Sequence, residues 1–376
     1  MLALSAVFLF GLFCSAHANC TNPAVRREWR TLSADERANW ISAVQCLSEL
    51  PHDPALTPYV NPDDIVSVNA SGSYYDGEAD IVYMHMDLNH IIHFTGLFLP
   101  FHRWYVQMYE NALKEKCGFN GTSPYWNWAA DASDVYGSTM FQDFDPVSGL
   151  GGWGNLSDDA QVPNGAFSVF KLSYPSYHTL RRNFTLQPYI GLDPTLFTNP
   201  YEDANATFTQ SEVDKMVNGF VGDYKGFQVY MEGFEGAHGS VHEILGGQVM
   251  NLLNIFLEVD IRELNSDLGG TCPSTAPANC TPGPTFSANE PIFWMHHAMV
   301  DKVWYDWQTA NSANAGIFYG GSVQMIDNAT IYAEYPNGGP PMLSLDSVMH
   351  ADGMFEESTV GDVINTTAGI LCYIYE

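Results

Sequence analysis

Residues 290–307 read EPIFWMHHAMVDKVWYDW, and two adjacent histidines, His296 and His297, stand inside an apolar, aromatic run. Such a run does not belong on a surface. In a core, each imidazole nitrogen needs a partner, because a buried polar atom left alone keeps its desolvation penalty. The pair is therefore either hydrogen-bonded core or metal ligand, and the rest of the chain decides.

The 376 residues are 46% hydrophobic and 14% aromatic, enough for a substantial core. A formal net charge of −29 argues against nucleic acid and anionic membrane surfaces as partners. Residues 1–18 form an apolar run ending in Ala16-His17-Ala18, the small-x-small shape of a signal-peptidase site, and too short to span a bilayer. The expected organisation is a signal peptide over 1–18 and one mature domain over 19–376. Cleavage would remove Cys14 and leave Cys20, Cys46, Cys117, Cys272, Cys280 and Cys372, an even set that reads as disulfides in an exported chain. Sequons at Asn69, Asn120, Asn155, Asn183, Asn205, Asn328 and Asn365 fit the same compartment. The reading is a secreted, N-glycosylated protein with no membrane association.

Along the chain, Asn22 to Leu50 reads as a helix pair, the second opened by the capping box Ser33-x-x-Glu36. Residues 81–94 carry His85, His90 and His93, and Pro100 then precedes a strong helix beginning FHRWYVQMYENALKEKC. The stretch from Asp131 to Asn205 has weak periodicity and reads as irregular surface structure. A short helix is expected over 210–218 and a longer helical stretch over 236–263. Residues 265–289 are loop, and the tail after the paired-histidine helix is rich in Gly, Asn and Pro, with short β-like runs. No internal repeat or interdomain linker is visible. One mainly α domain accounts for this.

His238-x3-His242 is an i, i+4 pair, so both rings leave one helix face and can share an ion. A third donor must come from elsewhere, and His296 or His297 is the candidate. His85, His90, His93 and His102 offer a second set. Nine residues of continuous helix turn about 900°, which would oppose His93 and His102. Pro100 breaks that continuity, so His102 can open a new helix while His93 comes from the loop before it. Neutral imidazole suits copper, zinc, iron and nickel, and two three-imidazole sites with open positions favour reaction over a structural role.

This pattern resembles the type-3 copper proteins: tyrosinases, catechol oxidases and molluscan oxygen carriers. His85-x7-His93-x8-His102 with FLPFHRW resembles the family's first copper motif. His238-x3-His242, Gly246-Gly247 and EPIFWMHHAMVD resemble the second. The family pattern makes His297, separated from Asp301 by three residues, the ligand and His296 its neighbour. Phe293 matches the phenylalanine that packs on a ligating ring. PYWNW resembles a PYWDW segment, with Asn127 where Asp is commoner, and Glu290 replaces the usual Asp. Arg26 or Arg27 and Tyr373-Ile374-Tyr375 resemble the arginine and Tyr-x-Tyr pair that close the core. The likeness is nearest to short, secreted fungal catechol-oxidase-like members.

The resemblance implies a central four-helix bundle holding a dinuclear copper site, with long loops and a few short strands. It implies two copper ions bound by His85, His93, His102, His238, His242 and His297, with O2 and a small phenol as substrates. Two departures bear on chemistry. No cysteine lies between His85 and His93, so the thioether found near the first copper in many relatives cannot form there. Hydroxylating a monophenol requires removing a phenolic proton of pKa about 10, a task the family gives to a water held by a glutamate and an asparagine. Glu235 matches the glutamate, but Gly239 stands where strong tyrosinases carry Asn. The expected activity is oxidation of catechols to o-quinones with weak or no monophenol hydroxylation. The alternatives are a tyrosinase, a methoxyphenol-hydroxylating monooxygenase, or a hemocyanin-like oxygen carrier. With Tyr375 beside the end of the sequence and no covering domain after it, an enzyme is expected over a carrier. Expected disulfides are Cys272–Cys280, Cys46–Cys117 and Cys20–Cys372. His52, His178 and His350 are expected at the surface or in loops.

Overall fold

The computed structural model describes residues 20–62, 77–190, 197, 199–245, 266–268, 272–276, 284–318 and 342–376. The principal helices are α1 (Ala34–Ser48), α2 (Gly77–Ile92), α3 (Phe98–Cys117), α4 (Gln210–Gly219), α5 (Tyr224–Glu232), α6 (Ala237–Ile244) and α7 (Pro291–Ala310). The strands are short: β1 (Ala24–Arg26) pairs in parallel with β6 (Tyr373–Tyr375). The two-residue pairs β2 (Lys171–Leu172) with β3 (His178–Thr179), and β4 (Val348–Met349) with β5 (Ser358–Thr359), are antiparallel. The fold is mainly helical, and α2, α3, α6 and α7 carry or adjoin the histidines.

Local chemistry explains where the helices begin. Ser33 and Glu36 cap α1 reciprocally. Glu290 caps α7 by accepting the Ile292 N–H, and Pro291 occupies the first helical position, where its missing N–H costs nothing. All eight residues of α6 are buried, as for a helix packed in on every side. Gly118 ends α3 at φ 70°, a left-handed conformation that returns its N–H to the Leu113 carbonyl.

The structure corrects several expectations. The first half of the 22–50 helix pair is β1 followed by a single 3-10 turn, Trp29–Thr31. Tertiary pairing overrides propensity here: β1 must lie beside β6 so that the Arg26 guanidinium reaches the interior. The helix break before His102 lies upstream of Pro100, at Phe94 with φ 54°. Pro100 is the third residue of α3, where its absent N–H has no intrahelical partner to lose. The 131–205 stretch is irregular but not merely surface, since Phe141, Leu150, Phe167 and Leu180 are buried in the main core. The helix expected over 236–263 is α6, and residues 246–265 lie outside the described residues. His178 is buried at 7% exposure rather than superficial.

Cys20–Cys372 and Cys46–Cys117 are bonded as expected. Cys272 is disulfide-bonded, and Cys280, its expected partner, lies outside the described residues. So do the signal-peptide stretch and the sequons at Asn69 and Asn328. No described helix is long and apolar enough to cross a membrane.

Candidate metal centre

His85 projects from α2, His93 follows the last residue of that helix, and His102 lies in α3. His238 and His242 come from one face of α6, and His296 and His297 from the middle of α7. They gather into two groups, His85 with His93 and His102, and His238 with His242, His296 and His297. Within each group one nitrogen per ring lies within 4.8 Å of the others. The groups meet: the His102 and His297 rings stack with centroids 4.2 Å apart, and His93 lies 6.0 Å from His238. His90 is exposed and belongs to neither group.

Carbonyl groups orient several of the rings. Nδ1 of His93 faces the Asn89 carbonyl at 3.2 Å, that of His102 the Phe98 carbonyl at 2.8 Å, and that of His242 the Leu268 carbonyl at 3.1 Å. A carbonyl only accepts, so Nδ1 holds the proton and Nε2 keeps its lone pair. The Nε2 atoms of His85 and His102 are 3.4 Å apart. Nε2 of His238 and both nitrogens of His296 and of His297 are buried with no hydrogen-bond partner among the described residues. Each such orphan costs about 1–3 kcal/mol, and a bound cation would remove that cost at one nitrogen of each ring that ligates it. Burial first, and neighbouring imidazoles second, hold His93, His102, His238 and His297 well below the ordinary imidazole range. Burial takes His242 down to about 4. Neutral rings are the metal-binding form. The donor set fits a pair of imidazole-bound ions.

Two phenylalanines wall the cluster symmetrically. Phe293 lies four residues before His297, with centroids 4.2 Å apart, and also meets His85 edge-on at 5.2 Å. Phe98 stands four residues before His102 at 4.9 Å and reaches His238 at 4.7 Å.

Residues 74–310 match the family model described as the common central domain of tyrosinase. This chain belongs to the tyrosinase family. Tyrosinase-like protein phomQ1 of Diaporthe leptostromiformis is 29% identical over 371 residues, covering 95% of this chain and 78% of that protein. N-acetyl-6-hydroxytryptophan oxidase ivoB of Emericella nidulans is 26% identical and covers 100% of this chain and 98% of its own. A polyphenol oxidase variant from Thermothelomyces thermophila superposes with a TM-score of 0.62 at 22% identity, over 94% of this chain and 89% of that one, and so shares its fold. The protein is a type-3 copper oxidoreductase of the tyrosinase family, a class that acts on phenols with O2 at a dinuclear copper centre.

In this tyrosinase-family chain the histidine-bearing helices are braced by buried ion pairs. Asp301, one turn beyond His297, accepts from Arg103 of α3, from Arg26 of β1 at 3.4 Å, and from the hydroxyls of Tyr373 and Tyr375 at 2.5 and 2.7 Å. Of the two candidate arginines Arg26 is therefore the one that closes the core, while Arg27 pairs at the surface with Glu36. Arg182 grips Glu290 with two hydrogen bonds, at 3.2 and 2.9 Å, and so fixes the start of α7. The longer Glu290 thus fills the position of the commoner Asp with a bidentate partner. Arg181 and His178 both bind Asp267, next to the Leu268 carbonyl that orients His242. Sequence reasoning missed this bracket because Asp267 lies 86 residues from Arg181 and 89 from His178.

The Trp126 backbone N–H donates to the Met295 carbonyl, and the Trp128 ring packs 5.2 Å from His296, so the PYWNW segment supports the paired histidines. Phe98 was also missed, although its four-residue spacing to His102 repeats that of Phe293 to His297. Glu235 is half-buried in the turn ahead of α6, and its carboxylate accepts the Asn199 N–H at 3.3 Å. Gly239 packs against that turn: a Cβ there would lie 3.1 Å from the Phe234 carbonyl oxygen.

Proposed function

We propose that the protein oxidises o-diphenols to o-quinones with O2 and hydroxylates monophenols weakly or not at all. The observation that carries this reading is Gly239 beside His238, where no side chain is available to orient a proton-accepting water with Glu235. Two diphenols each give up two electrons and two protons to one O2, yielding two o-quinones and two waters. When bound, copper supplies the redox step.

The chain's own residues bind and position. His85, His93 and His102 would hold one ion and His238, His242 and His297 the other, each as a neutral donor. The carbonyls of Asn89, Phe98 and Leu268 fix ring orientation, as groups behind metal-binding histidines do. Phe98 and Phe293 exclude water and offer an apolar wall to an aromatic ring. Glu235 is the candidate proton acceptor in the turn before α6. A catechol brings both oxygens already in place and makes the smaller demand on that acceptor.

A second reading, action on a monophenol, is suggested by the name of the Emericella nidulans relative, an oxidase of N-acetyl-6-hydroxytryptophan, whose ring carries one phenolic oxygen. Separate assays of the copper-loaded enzyme with catechol and with a monophenol decide between them. Fast catechol turnover with slow or absent monophenol hydroxylation is expected, and rapid, lag-free hydroxylation overturns the diphenol reading.

Secretion after cleavage behind Ala18, with the mature domain over 19–376, is part of the same proposal. Asn120, Asn155 and Asn365 are exposed and open to glycans, whereas the Asn205 amide donates to the Ala132 carbonyl at 2.7 Å. N-terminal sequencing and glycosidase digestion of protein from the culture medium test this.

A further inference from the structure

His93 is the one histidine of its group outside a helix, since α2 ends at Ile92 and α3 begins at Phe98. The next residue, Phe94, has φ 54°. For a bulky side chain that is an unfavourable backbone, costing about 1–3 kcal/mol, and it persists only where the surroundings impose it. The surroundings are one face of α5, a helix that contributes no histidine. Tyr224, Gln228 and Glu232 are spaced four apart, so they share that face, and all three are buried.

They grip three consecutive residues of the turn. Glu232 Oε1 accepts the Phe94 N–H at 2.5 Å, Gln228 Nε2 donates to the Thr95 carbonyl at 2.5 Å, and the Tyr224 hydroxyl donates to the Gly96 carbonyl at 3.3 Å. Gln228 also donates to Glu232 Oε2 at 2.9 Å, which ties the set together.

We propose that Tyr224, Gln228 and Glu232 are positioning residues that impose the left-handed turn at Phe94 and thereby aim His93 at the metal beside His85 and His102. Glu232 is the principal member, because it holds the amide adjoining His93. The proposal rests on the dicopper reading of the site.

The test measures copper per chain and its release to a competing chelator, with the electron paramagnetic resonance (EPR) of the oxidised protein. Wild type should hold two copper ions without an EPR signal, because the two Cu(II) spins couple. Glu232→Leu removes the acceptor and should release one of the two ions about 10–100-fold more readily, the range for groups supporting metal-binding histidines. The remaining Cu(II) should then become visible by EPR. Glu232→Gln keeps a side-chain oxygen for Phe94 and should restore wild-type retention.

Glycine adopts positive φ without steric cost, so adding Phe94→Gly to Glu232→Leu should recover the second copper, which a general packing role for Glu232 would not explain. Tyr224→Phe deletes one hydroxyl with little risk to folding and should speed release of the same ion severalfold. A folded Glu232→Leu protein that keeps two EPR-silent coppers overturns the proposal, as does unchanged release from Tyr224→Phe or no recovery with Phe94→Gly. Wild type that takes up no copper overturns the dicopper reading itself, whereas copper-replete wild type with unaffected variants overturns only the positioning role.

Discussion

His102 and His297 lie face to face, their ring centroids 4.2 Å apart and their planes within 13°. One comes from α3 and the other from α7, so this contact joins the two histidine groups. His296, the adjacent residue, instead packs beside His238, His242 and Trp128 at 4.8 to 5.3 Å.

The two members of the pair should therefore behave differently. His297→Asn is expected to leave about half the wild-type copper after dialysis, with less than 1% of catechol turnover, a barrier increase of at least about 2.7 kcal/mol. His296→Asn should retain both ions. Metal analysis of the two variants decides; equal copper loss would make His296 a donor as well.

Gly239→Asn should raise monophenol hydroxylation relative to catechol oxidation by about tenfold, about 1.4 kcal/mol in relative barrier. The added Cβ meets the Phe234 carbonyl oxygen at 3.1 Å, so the turn carrying Glu235 must yield by a few tenths of an ångström. The ratio of initial rates on the two substrates is the readout. An unchanged ratio would mean that another pocket residue controls the choice.

Asp301→Ala leaves the buried Arg26 and Arg103 guanidiniums without a shared carboxylate and two tyrosine hydroxyls without an acceptor. Breaking such a buried pair costs about 3–5 kcal/mol. Denaturant unfolding of the copper-free protein should show a loss of that size, although Asp301 is not among the proposed metal donors.

Stability should also fall toward alkaline pH. Burial, with Asp87 nearby, pushes Asp352 up to about 8. Its carboxylate accepts the Tyr59 N–H at 3.1 Å, while Asp87 accepts those of Val60 and Asn61 at 2.7 and 2.8 Å. With a folded value above the unfolded one of about 4, Asp352 stays protonated in the fold after it has ionised in the unfolded chain. Its contribution is fully present below pH 4 and is lost as pH rises through 8. Asp352→Asn should flatten that slope in melting temperatures measured from pH 5 to 9.

Much of the site was legible in order and spacing. His238-x3-His242 had to share a helix face, and a break between His93 and His102 was required for those rings to converge. The break fell at Phe94 rather than Pro100, because proline is tolerated in a helix's first turn while a left-handed aromatic is not tolerated in a helix. The 22–50 segment misled for the opposite reason. Its first half has helix-compatible residues, but Arg26 can reach Asp301 and Glu110 only from a strand beside β6. Asp267 with Arg181, and Glu290 with Arg182, gave no local pattern, since a buried ion pair needs proximity and no fixed sequence interval.

By itself the sequence determined what is local: which residues are donors, how they repeat along each helix, that Ser33 and Glu36 cap α1, and that Gly239 brings no side chain beside His238. Only the tertiary structure decided which rings meet, that α5 holds the turn after His93, and that one carboxylate, Asp301, gathers Arg26, Arg103, Tyr373 and Tyr375. Periodicity sets the direction of a side chain from its own helix axis. The distance between two such axes is set by packing among segments hundreds of residues apart.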